Sequence, residues 1–154
     1  MIMGLPAHPL LVHFTIALLV LLPLGVLVSI VWAGMRKRLD WLLPLGAVVA
    51  CLLTLATGNA GTALEESLPV RLASVQAHGE WGEWAMRICI LFAVSVVLWW
   101  ASVTEEPLSW ADKPFLRSRG MRLGLTVLVG IVSVATLVIV TLTGHSGATA
   151  VWGS

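Results

Sequence analysis

The sequence predicts an all-α integral membrane protein, a single domain of four transmembrane helices spanning residues 1–154, and three observations carry that reading. The chain is 58% hydrophobic and 11% charged, with a mean hydropathy of +0.97; a soluble domain of this length could not hide so much apolar surface. Four apolar runs, at about 10–33, 41–58, 85–104 and 123–143, approach or exceed the roughly 20 helical residues that cross a bilayer core. Seven of the nine basic residues (Arg36, Lys37, Arg38, Lys113, Arg117, Arg119 and Arg122) fall in the turns that join these runs on one side.

The first run has no Lys or Arg before it, so it lacks the basic start of a signal peptide and reads as a retained helix. Pro23 should bend it, whereas Pro44 falls in the first turn of the second run, where proline is tolerated. The basic turns belong in the cytoplasm by the positive-inside rule, which puts both termini and the segment Asn59–Glu83 outside. Tryptophans are expected to mark the two interfaces, Trp32, Trp41, Trp99, Trp100 and Trp110 on one side and Trp81, Trp84 and Trp152 on the other. The stretch EEPLSWADKPFLRSRG, residues 105–120, reads as a solvated turn. A net charge of +1 says nothing about nucleic acid, and no basic stripe offers one a binding surface.

The two halves overlay. AHPLLVHFTIALLVLLP begins one at Ala7 and AHGEWGEWAMRICILFA the other at Ala77; each half closes on Thr-Gly-[Asn/His]-[Ala/Ser]-Gly, at 57–61 and 143–147. Both halves start outside, so the arrangement reads as two parallel-repeated helical hairpins about an axis along the membrane normal. His8 then matches His78, His13 matches Glu83, and Asn59 matches His145. The glycines are expected at the helix C-termini, where a left-handed residue ends the last turn.

All four histidines fall on the outer side. His13 lies about 7.5 Å deeper than His8 and points about 140° away around the helix. Polar residues at membrane depth usually face the bundle interior, and apolar sequence flanks His13 and His145, so these two are the favoured inner ligands, with His78 and His8 next. Three uses compete. One is b-type haem held by two axial histidines, its propionates on Arg87 or Arg71, with glycines 58, 61, 144 and 147 allowing the ring to approach. A second is a copper or zinc site of His13, His145, His78 and His8 with Glu66, and with Glu80 or Glu83 as further oxygen ligands. The third is a non-catalytic assembly protein whose polar rim seals the bundle or docks a partner. No Cys-x-x-Cys-His occurs, which excludes covalent c-type haem. Cys51 and Cys89 read as small buried residues rather than a disulfide. Thr54, Ser95, Ser133 and Thr136 read as helix-packing hydroxyls. No nucleophile–base pair is visible, which points to an electron carrier or binding protein rather than an enzyme.

GLPAHPLLVHFTIALLVLL, residues 4–22, and TGHSGATAVWG, residues 143–153, resemble the motifs of a bacterial predicted-membrane-protein family, a domain of unknown function (2231). Its members begin His-Pro-x-x-Val-His-Phe-Pro-Ile and end their last helix Thr-Gly-His-x-Gly. The resemblance covers almost the whole chain and aligns His8, His13, His78 and His145 with the family's histidines, with Glu66 in its acidic run. Thr15 departs from the proline common there. The resemblance implies no settled activity. Its layout is similar to two-haem membrane cytochromes, and relatives appear fused to cytochrome c-like modules, which leans toward haem by analogy. The combined expectation is a multi-pass protein of the bacterial inner membrane. It would bind a redox cofactor near its periplasmic face and exchange electrons with a periplasmic or membrane partner such as a cytochrome c; it could also be a homo-oligomer.

Overall fold

The computed structural model describes residues 7–67, 69, 73–106, 108–110 and 112–152. Its elements are α1 (Ala7–Val31), α2 (Ala33–Leu39), α3 (Leu42–Glu66), α4 (Ala73–Val103) and α5 (Arg119–Trp152). Four of them, α1, α3, α4 and α5, contain spans long and apolar enough to cross a membrane. Each of α1 and α4 packs against both α3 and α5, so the helices run around the bundle in the order α1, α3, α4, α5. The outward faces carry Phe14, Leu21, Leu52, Leu123 and Ile131, each more than 60% exposed within the chain. In an isolated soluble protein that would be an aggregation liability; here it is the surface that meets lipid.

The helices outrun the apolar segments that announce them. α3 continues eight residues past Gly58, α4 begins twelve residues before Ala85, and α5 continues nine residues past Thr143. Hydropathy marks only the stretch that needs hydrocarbon around it, whereas backbone hydrogen bonding carries a helix on into the polar layer. The glycines expected to end α3 and α5 therefore lie inside those helices, with the His8 and His78 rings packed against two of them. Pro23 sits within α1, and Pro44 falls in the first turn of α3.

α2 was not apparent from the sequence. Trp32 leaves the helical path with φ −121 and ψ 100, and Arg36, Lys37 and Arg38 then lie on a seven-residue helix with no buried residue. Asp40, at φ 22, turns the chain into α3. An acidic residue is one of the few that tolerate positive φ, and Asp40 is held there by Trp100, whose indole Nε1 donates to Oδ1 at 2.8 Å. Lys37 pairs with Glu105 at 2.8 Å and holds that carboxyl below the usual carboxylate range. Both side chains are more than 60% exposed, so the pair contributes little.

The basic end of the bundle is closed. Val26, Leu43, Ala47, Phe92, Val96, Trp99, Val129 and Val132 form one buried cluster. Trp99 is 1% exposed and donates from Nε1 to Thr126 Oγ1 at 3.1 Å. This corrects its expected place: Trp99 lies in the core instead of joining the belt, whereas half-buried Trp100 bonds Asp40 at the turn and Trp32, Trp41 and Trp110 are exposed. Thr54, Ser133 and Thr136 donate to the carbonyl four residues back, and Ser95 to the carbonyl three back; the hydroxyls are thus satisfied within their own helices. Trp99→Ala should lower stability by about 2 kcal/mol in detergent unfolding. The usual 3–5 kcal/mol for losing a buried Trp is reduced because lipid, unlike water, solvates the freed ring in the unfolded state.

Candidate functional site

The opposite end is hollow. A cavity of about 860 Å³ opens between the four long helices, with His8 and Val12 on α1, Thr57 and Gly61 on α3, His78 on α4 and Gly147 on α5 among its lining. That volume lies within the range of small-molecule and cofactor sites.

His8 and His78 come together in it. Their ring centroids are 6.1 Å apart and their planes are inclined at 77°. Each ring rests against a glycine of its own hairpin: a Cβ at Gly61 would stand 2.9 Å from His8 Nδ1, and one at Gly147 3.0 Å from His78 Cε1. Glycine is what lets an imidazole lie this close to a helix backbone.

Hydrogen bonding defines which nitrogen each ring presents. His8 Nδ1 is 2.9 Å from the Thr57 carbonyl, which can only accept, so Nδ1 carries the proton. His78 Nδ1 is 3.1 Å from Ser146 Oγ. Ser146 has one hydroxyl proton and gives it to the Thr143 carbonyl at 2.9 Å, so its oxygen accepts from His78 Nδ1–H. A neutral imidazole with Nδ1 protonated has its lone pair on Nε2. Two such lone pairs therefore belong to one cavity. Thr15 Oγ1 and Thr57 Oγ1, 2.8 Å apart, tie α1 to α3 beneath His8.

The other two histidines take no part in this wall. His13 and His145 lie on exposed faces of α1 and α5 and do not line the cavity. The expected layer of four convergent imidazoles is instead a facing pair with two outliers. Among the described residues, no three His, Cys, Asp or Glu side chains are grouped to hold a metal ion. Glu66 is exposed, and its neighbour Glu65 lines the cavity instead, its Oε2 3.3 Å from where a Gly79 Cβ would stand. Glu80 and Glu83 also line it, and no described Lys or Arg does. Arg87 donates to Glu83 Oε2 at 2.8 Å and its guanidinium carbon lies 5.1 Å over the Trp84 ring. Arg71, the other expected propionate partner, lies outside the described residues.

Sequence reasoning missed Thr57, Ser146 and Met86, and of the acidic pair Glu65-Glu66 it favoured Glu66. The repeated Thr-Gly-x-x-Gly phrase was the available signal for the first two: Thr57 precedes Gly58 as Thr143 precedes Gly144, and the Thr57 carbonyl holds His8 directly while the Thr143 carbonyl holds Ser146, the partner of His78.

Fold and site together define a multi-pass helical membrane protein with a histidine-paired cavity at one end of its bundle. The chain belongs to the family described as Predicted membrane protein (DUF2231), whose profile matches residues 4–154. No curated protein and no solved structure matches it.

Proposed function

We propose that this protein binds b-type haem at the hollow end of its bundle, with His8 and His78 as the axial pair, and serves electron transfer at the periplasmic face of the bacterial inner membrane. The observation that carries the reading is the pair itself: two imidazoles whose Nδ1 protons are committed, with centroids 6.1 Å apart. One nitrogen from each ring would hold the haem iron. Bound haem supplies one-electron chemistry. The protein's share is to orient both rings through Thr57 and Ser146, and to keep the basic end shut with Trp99 and its neighbours. Exchange with a cytochrome c-like or membrane partner then takes place at the open end. The concentration of basic residues at the closed end supports the placement of both termini outside.

The lining favours a second reading. Glu65 and Glu80 line the cavity with no described Lys or Arg beside them in its wall, and Glu83 is already paired with Arg87, which suits a copper or zinc ion better than it suits two propionates. Purified protein separates the two. A reduced-minus-oxidised spectrum with Soret and α-bands is the expected result. A colourless preparation carrying stoichiometric copper or zinc would transfer the His8–His78 pair to the metal reading, and a colourless, metal-free one would leave neither.

A further inference from the structure

Below the cavity lies a second constellation that the histidine site does not use. Cys51 on α3 and Cys89 on α4 are both free thiols, and they are the chain's only cysteines. Their sulfurs stand 3.6 Å apart. They lie in the apolar layer of Leu19, Ala50 and Val140, where α3 of one hairpin meets α4 of the other. Cavity and thiols adjoin: Thr54 and Ala85 line the cavity, and Cys51 and Cys89 are one turn beneath them on the same two helices. Met86, one turn above Cys89, lends its thioether-bearing side chain to the cavity wall and presses on Gly58.

We propose that Cys51 and Cys89 form a two-coordinate site for Cu(I), reached from the cavity above. Ligand number and softness select the ion. Zinc asks for four ligands in a structural site and three plus water in a catalytic one, and no such set exists among the described residues. A soft monovalent ion is satisfied by thiolate and thioether donors. Metal–sulfur bonds of about 2.3 Å put two ligating sulfurs roughly 3.8–4.6 Å apart, from tetrahedral to linear. A two-coordinate ion takes the linear end, so the thiol pair, now 3.6 Å apart, opens by about 1 Å to admit it.

Charge fixes the stoichiometry. A bis-thiolate complex would bury a net negative charge in an apolar layer, which is costly. One thiolate and one thiol around Cu⁺ leave the site neutral. The binding step is therefore Cu⁺ plus two Cys–SH giving Cu(Cys–S)(Cys–SH) plus one H⁺; one S–H bond breaks, one Cu–S bond and one Cu–SH donor bond form, and no electron is transferred. The released proton leaves through the cavity, where Glu65 and Glu80 can accept it. On this reading Met86, and the acidic mouth beyond it, form the approach for the cation.

The test uses detergent-purified, fully reduced protein titrated with Cu(I) against a chromogenic chelator, alongside Cys51→Ser, Cys89→Ser and His8→Ala/His78→Ala variants. The expected result is one Cu(I) per chain with a sulfur-only first shell by X-ray absorption. One proton should be released per copper, and affinity should fall about tenfold or more in either serine variant. The double histidine variant should retain the ion, which separates this site from the haem reading. Uptake unchanged by both serine variants, or a nitrogen-dominated shell, overturns the proposal. Should the serine variants misfold, wild-type protein still decides: Cu(I) must protect Cys51 and Cys89 from maleimide labelling in mass spectra, and equal labelling with and without copper rejects the site.

Discussion

His8→Ala or His78→Ala is expected to cut bound haem by about tenfold or more, because each removes one of two axial nitrogens, whereas His13→Ala and His145→Ala are expected to keep it. The contrast is the informative part. All four substitutions remove an imidazole from the same end of the bundle, so a general effect of losing polar groups there would touch them alike. Only the first two remove a ring from the cavity wall. The measurement is Soret absorbance per protein after purification from haem-replete cells. Full retention of the Soret band in both His8→Ala and His78→Ala would remove the axial pair from consideration. The same comparison by elemental analysis applies to the copper or zinc reading.

Gly61→Val and Gly147→Val should mimic the loss of a histidine without deleting any ligand. A side chain at Gly61 collides with His8 Nδ1, and one at Gly147 with His78 Cε1. Neither ring can slide away freely, since each is held by a hydrogen bond to α3 or α5. The ring must tilt away from the position it holds beside its partner, and occupancy should drop by about 10- to 100-fold, the usual result of disorienting a ligand. Gly124→Ala provides the control. Nothing lies within 4 Å of its added methyl, so Gly124→Ala should leave occupancy unchanged and keep or slightly raise the melting temperature, because alanine is the better helix former. Equal behaviour of Gly124→Ala and Gly147→Val would count against the packing argument.

The membrane-spanning architecture was legible in the sequence because hydrophobicity and length suffice to announce a span. Which histidine faces inward was not. His13 and His145 looked interior because apolar residues flank them, but in lipid an apolar flank marks either face of a helix. α1 is apolar nearly all round, so no polar stripe shows which side meets its neighbours. The 140° separation of His8 and His13 meant that one of them had to turn outward, and nothing local said which. The glycine pairs were misread for a related reason: Gly-x-x-Gly can end a helix or let something pack closely against it, and only the tertiary partner, here an imidazole, decides. Of the acidic pair Glu65-Glu66, the favoured Glu66 is exposed and Glu65 lies on the cavity side.

Each histidine leans on a glycine of its own hairpin, yet faces the histidine of the other across the middle of the ring of helices. A lone hairpin would thus own half a ligand set and one wall of a chamber. Two copies of an ancestral hairpin could have assembled the whole before any fusion joined them, and the modern chain would then be a covalent dimer whose halves have since drifted apart.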